Sequence, residues 1–169
     1  MIIWMPRTEE LAAESMISNL LTQSQYGEVL ASHTNEGDTV AAVIDGLLPK
    51  SSSDHTNPRW TSLPFKNRRM DISFTFPTTR KVRSVSVYWY EDTGNNILTP
   101  RGWWIDYKKG ESDWQRMKKY VTDFYGLEKD TFNYVRPDAT LSSDAIRISI
   151  LPQVGYCMGI HEIQIEFED

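Results

Sequence analysis

At 169 residues, 40% of them from the set AVILMFWYC, the chain can bury one hydrophobic core and is too short to expect two independent ones. A charged fraction of 24% and a formal charge of −5 are ordinary for a soluble protein, and the absence of a basic block argues against nucleic acid as a partner while leaving room for a bound hard cation. The single cysteine, Cys157, excludes an internal disulfide and any zinc or iron–sulfur cluster needing several thiolates, and leaves the redox compartment open.

The N-terminal run Met1 to Pro6 is greasy but too short for a signal peptide. No apolar stretch approaches the roughly 18–20 residues that span a bilayer, so no membrane partner is expected. Either the protein is not exported, or the sequence is a piece of a longer, exported bacterial chain; the second is the preferred expectation. Thr8 to Leu21 is predicted helical. Thr8 can cap the first turn, Glu9 and Glu10 suit its positive end, and Ala13, Met16, Ile17, Leu20 and Leu21 form an apolar stripe. Residues 1–27 are therefore taken as a helical extension packing outside the domain, with a remnant linker, partner docking or dimerisation left open, and residues 28–169 as the domain itself.

After Gly27 the period changes. Glu28 to His33 is a candidate strand, and Thr39 to Ile44 a short apolar run broken by Asp45-Gly46. Leu48 to Asn67 is rich in Ser, Pro, Asn and Lys and too long for a hairpin turn, which makes it a candidate binding loop. Met70 to Phe76 alternates with period two and should end at Pro77; Val85, Val87 and Trp89 alternate again, with Ser84, Ser86, Tyr88 and Tyr90 on the opposite face. A polar loop through Asp92, Gly94, Asn95 and Asn96 leads to a strand at Trp103, Ile105 and Tyr107. Trp114 to Tyr120, Phe132 to Val135, Ile146 to Ile150 and Ile163 to Phe167 are the remaining candidate strands. Many short alternating strands with polar turns and no crossover helices predict an all-β antiparallel sandwich or small barrel.

Catalytic motifs are missing. The sequence holds no phosphate-binding glycine loop, no metalloprotease helix and no nucleophile elbow. Cys157 and His161 could meet only on a helix, and they span a loop and a strand start, so Cys157 is expected to be a small buried group. A glycosidase pair among the many carboxylates is easy to nominate by chance, and most acidic side chains only hydrate a surface.

A binding module needs less: a rigid scaffold, an aromatic ring for the apolar face of a sugar, and fixed polar groups for its hydroxyls. Trp89 and Trp103 sit on apolar faces and are expected in the core, whereas Trp104 points the other way. In the long loop, His55, Asn57 and Arg59 stand beside Trp60, an imidazole, an amide and a rigid guanidinium fork next to an aromatic ring. The competing reading pairs Arg59 with Asp54 and uses Trp60 to plug the mouth of the sandwich. Asp92, Thr93, Asn95 and Asn96 form a second polar loop, and Tyr156 supplies a further aromatic ring.

Several of these segments, in this order, resemble the discoidin, or coagulation-factor type C, group of galactose-binding-like domains. They are Ala31-Ser32-His33 through Asp45-Gly46, Arg59-Trp60-Thr61, Val85 to Tyr90 and Gly159 to Ile165. Ala42 to Gly46, Pro49 to Ser52 and Val87-Tyr88-Trp89 with Asp92-Thr93-Gly94 are similar to accessory C-terminal sandwich domains of bacterial β-L-arabinofuranosidase-like glycoside hydrolases. The resemblance spans about residues 28–168. It implies a jelly roll of about eight strands, often with a structural calcium (Ca2+) held by Asp45 and Glu162 with backbone carbonyls; the alternative is that Asp45 caps its own turn and Glu162 is an edge charge. It also implies a ligand site of the type His55, Asn57, Arg59, Trp60 and Tyr156, and no catalytic residues. The expected function is a noncatalytic carbohydrate-binding module accessory to glycan degradation. The rivals are a structural domain packed on a glycoside hydrolase catalytic domain and a protein-adhesion module.

Overall fold

The computed structural model describes residues 25–169. The helix expected over Thr8 to Leu21 lies outside them. The described chain is all-β and antiparallel, with eight strands: β1 (Glu28–Ala31), β2 (Trp60–Thr61), β3 (Met70–Tyr90), β4 (Gly102–Lys108), β5 (Gln115–Arg116), β6 (Phe132–Val135), β7 (Leu141–Leu151) and β8 (Gly159–Glu168).

The organising element is β3, which runs unbroken for 21 residues through Pro77. The expected stop at Pro77 is wrong for a specific reason. The pairing of β3 with β7 shifts register between Thr75 and Arg80, so the proline falls where the ladder is already interrupted and no N–H is needed. The first half of β3 pairs with β1 on one side and β7 on the other, and β7 continues to β4 and β5. The second half pairs with β8 and β6, and β8 continues to β2. One long strand thus serves two layers.

The alternation seen in the sequence fills the space between them. Met70, Ile72, Phe74, Trp103, Ile105, Ile146, Ile148 and Ile150 from one layer meet Val85, Val87, Trp89, Val135, Ile163 and Ile165 from the other in one buried cluster. The two expected core tryptophans pack edge to face, centroids 5.6 Å apart, and both donate their indole N–H to the Gly126 carbonyl.

Other boundaries moved. Thr39 to Ile44 closes into a 3₁₀ turn at Val40–Ile44, with the Thr39 hydroxyl accepting from the Ala41 N–H. Within the Trp114 to Tyr120 segment the strand is confined to Gln115–Arg116, with Lys119 in an isolated bridge to Pro137. Strand β8 starts at Gly159, earlier than its alternation shows, because Trp60 and Thr61 pair with Ile160 and Gly159.

Candidate functional site

Tyr90, the last residue of β3, is the centre of the polar end of the molecule. A side chain at Gly159 on the adjacent strand would place its Cβ 2.6 Å from the Tyr90 ring, so the glycine is what lets that ring lie flat. The ring packs edge to face on His161 (centroids 5.0 Å apart), and the Arg59 guanidinium covers it at 4.7 Å. The Tyr90 hydroxyl lies 2.9 Å from His55 Nδ1 and donates to Asp92 Oδ2 at 3.3 Å. Asn95 donates to the same carboxylate oxygen at 2.6 Å.

The electrostatics follow from these contacts. Burial, with the Asp92 charge beside it, pushes the Tyr90 phenol up to about 12 against the opposing pull of Arg59, so it remains a neutral donor. The Asn95 amide, against a smaller effect of burial, holds Asp92 below the usual carboxylate range. With Tyr90 donating to Asp92, a proton on His55 Nδ1 completes the chain and leaves Nε2 as an acceptor. The His55 side chain is 56% exposed, so this edge faces solvent.

The loop that carries His55 and Arg59 is fixed at several points. Asp54 accepts from the Lys50 and Thr56 amides, both at 2.9 Å, and from the Thr56 hydroxyl, bonds that hold its carboxyl well below the ordinary range. The Ser52 amide donates to Asp130 (2.7 Å), and the Ser52 carbonyl accepts from the Glu91 amide (2.9 Å) and faces His161 Nε2 (3.2 Å). Burial keeps the His161 ring neutral, and its Nδ1 has no partner among the described residues. Arg59 does not pair with Asp54. It donates to the carbonyls of His55 (3.1 Å) and Asn57 (3.3 Å), which aims the guanidinium across Tyr90.

The expected residues therefore separate. His55 and Arg59 converge with Asp92 and Asn95 of the second polar loop around Tyr90, whereas Asn57 enters this set through its backbone carbonyl, which accepts from Arg59. Trp60 does not join them: it is fully buried in β2, within the hydrophobic cluster, and its indole N–H donates to the His33 carbonyl at 2.8 Å. The expectation that Trp60 presents its ring to a ligand is corrected, because pairing with β8 turns that side chain into the core. Tyr156 is half-buried on the loop before β8. The backbone bonds Cys157 N–H to the Asn96 carbonyl (2.9 Å) and Leu98 N–H to the Cys157 carbonyl (3.1 Å) place that loop against the Asn95–Asn96 turn. Trp104 lies elsewhere, on the outer face of β4. Tyr90 was not singled out from sequence, and His161 was weighed there only as a partner for Cys157. Their signal was weak, since Tyr90 occupies the polar side of an alternating strand, where exposure is the default.

Cys157 is fully buried beside Tyr90 and Ile97, and burial raises its thiol. It is a packing residue.

Away from this end, Glu162 and Asp45 face each other. Glu162 is 1% exposed; its Oε1 accepts from the Gly46 amide at 3.2 Å, and its Oε2 has no hydrogen-bond donor when both carboxyls are ionised. Burial, then the nearby Asp45 charge, pushes Glu162 up to about 9. Burial also raises Asp45, opposed by the bond from the Leu47 amide. Without a cation, the pair holds a proton. No group of three or more His, Cys, Asp or Glu side chains suited to a metal occurs among the described residues, so a cation here would take two carboxylates and complete its shell with carbonyls or water.

No protein-family model matches the chain, and no curated protein matches its sequence. Solved structures share its fold. One is a chain of the β-galactosidase BgaA of Streptococcus pneumoniae, 21% identical with a TM-score of 0.63, covering 85% of this chain and 93% of that one. Another is the family 32 carbohydrate-binding module of Clostridium perfringens NanJ, solved with galactose, 19% identical with a TM-score of 0.63, covering 83% and 93%. A third is a module of the same family from AlyQ, solved with 4,5-unsaturated mannuronic acid, 17% identical with a TM-score of 0.52, covering 82% and 93%.

Proposed function

We propose that this chain, which has the discoidin-like fold of family 32 carbohydrate-binding modules, is a noncatalytic module that binds galactose-type sugars on a jelly-roll scaffold. The observation that carries this reading is the convergence of His55, Arg59, Asp92 and Asn95 around the Tyr90 ring. His55 Nε2 offers an acceptor, and Arg59 and Asn95 offer donors, all held by bonds made before a ligand arrives. A site ordered in advance loses less entropy on binding. Tyr156, beside the Asn95–Asn96 turn, is the ring proposed for stacking on the sugar's C–H face. Attachment to a glycan-degrading enzyme, and export with it, are part of the same proposal.

The experiment is titration of the chain with galactan and arabinan oligosaccharides, alongside Arg59→Ala and His55→Ala. Saturable binding that both substitutions weaken at least tenfold supports the reading. A folded chain that binds no neutral glycan refutes it. One observation favours the rival of docking on a catalytic domain: Val121 and Phe124 are 83% and 76% exposed near the half-exposed Tyr120 and Tyr134. Failure of glycan binding would direct attention to that patch.

Calcium at Asp45 and Glu162 is also proposed. Two opposed carboxylates, one buried with an oxygen lacking a donor, fit a hard cation. The ion would tie the Asp45-Gly46 turn to β8 and replace the proton the pair otherwise holds.

A further inference from the structure

The outer face of the layer β1–β3–β7–β4–β5 carries more than a solvated sheet requires. Trp104 on β4 and Trp114 just before β5 are both half-buried there. The guanidiniums of Arg69 and Arg116 lie 5.1 and 4.7 Å from the Trp104 ring, while Arg147 and the Lys108 ammonium lie 4.6 and 5.1 Å from the Trp114 ring. Beneath them, Asp106, 5% exposed, accepts from Arg116 Nε at 2.8 Å, a terminal Arg147 nitrogen at 3.0 Å and the Trp104 indole at 3.2 Å. Burial raises that carboxyl, but the two arginines outweigh it and keep it ionised.

The charges do not cancel. One carboxylate serves both Arg116 and Arg147, and Arg147 Nε is buried without an acceptor. Arg69 is matched by Asp71 at 2.9 Å, and Lys108 meets no carboxylate within 4.0 Å among the described residues. Four cations thus share the two carboxylates they pair with, on a protein whose overall charge is −5. Glu28 lies on the same row as Lys108 but three strands away. Stacking on the rings fixes the cationic heads, so little side-chain freedom remains to be lost.

We infer that this face is a second binding surface, for acidic oligosaccharides bearing carboxylate or sulfate groups. Guanidinium forks match both anions in bidentate geometry. Outward residues of β4 recur roughly 7 Å apart, so Trp104 with Arg69 beside it, Asp106 with Arg116 and Arg147 on it, and Lys108 follow one another along the strand, spreading the cations along a line that suits a polymer charged along its length. A protein partner would want an apolar centre, and the exposed large apolar residue on this side, Leu30, sits on the edge strand. The surface is separate from the Tyr90 site and stands or falls independently of it.

Calorimetric titration with hexagalacturonate and with a heparin hexasaccharide tests the inference. A neutral galactan fragment and poly-L-glutamate serve as controls, at roughly 20 and roughly 300 mM salt. The expected result is binding of one or both acidic glycans that weakens at least fivefold at the higher salt. The double variant Arg69→Gln/Arg116→Gln should lose at least tenfold in affinity with its neutral-glycan response unchanged. Carboxylate and sulfate preferences are separated by which glycan binds. No binding of either, wild-type affinity in the double variant, or equal affinity for poly-L-glutamate overturns the inference. Should the double variant fail to fold, Lys108→Gln, outside the Asp106 network, replaces it; unchanged affinity there overturns the inference equally.

Discussion

Replacing Glu162 with Gln isolates the proton held against Asp45. The amide keeps the shape, its oxygen can still accept from the Gly46 amide, and its NH₂ can donate to Asp45 as the protonated acid does. In the wild-type chain without calcium, the folded-state carboxyl titrates at about 9 against an ordinary value of 4.5. A raised folded-state value means the proton stabilises the fold. That stabilisation is complete below pH 4.5 and is lost as pH rises toward 9. Between pH 4.5 and 7 the loss is about 3 kcal/mol, at about 1.4 kcal/mol per pH unit. For a chain of this length it lowers Tm by on the order of 10 °C. Glu162→Gln should flatten this slope and raise Tm at neutral pH in chelator, while abolishing any rise in Tm on adding calcium. The assay is thermal unfolding by near-UV circular dichroism across pH 5–9, in chelator and in calcium. Coincident pH profiles for wild-type and variant in chelator would refute the reasoning.

Asp45→Ala should remove the response of Tm to calcium and chelator, whereas the wild-type chain should gain about 3 kcal/mol with calcium at 100 times its Kd; an equal response in both would exclude Asp45 as a ligand. Trp60→Ala should destabilise the fold by about 3–5 kcal/mol, because it empties a fully buried site and strands the His33 carbonyl; denaturant unfolding checks this, and near-wild-type stability would contradict the burial. Cys157 should react with a thiol reagent only under unfolding conditions, and rapid labelling of the native chain would contradict its placement.

The alternating runs at Met70–Phe76, Val85–Trp89, Ile146–Ile150 and Ile163–Phe167 were legible in the sequence because a strand with one buried face writes its period locally. The same rule placed Trp89 and Trp103 in the core. His55, Asn57 and Arg59 were legible as a polar set because they stand within five consecutive positions of one long loop. Trp60 was misjudged from that neighbourhood, since its environment is set by pairing with Ile160, 100 residues away. Tyr90 was passed over because the polar side of β3 is covered only once the loops carrying Ser52, His55 and Asp92 fold across it. The gathering of Arg69, Trp104, Arg116 and Arg147 was likewise invisible, as four segments contribute to it. Sequence by itself therefore determined the all-β class, the inward faces and one polar loop. Which polar groups meet was decided by the tertiary structure alone, because hydrogen bonds and ion pairs act over a few ångströms and only strand registry brings distant residues that close.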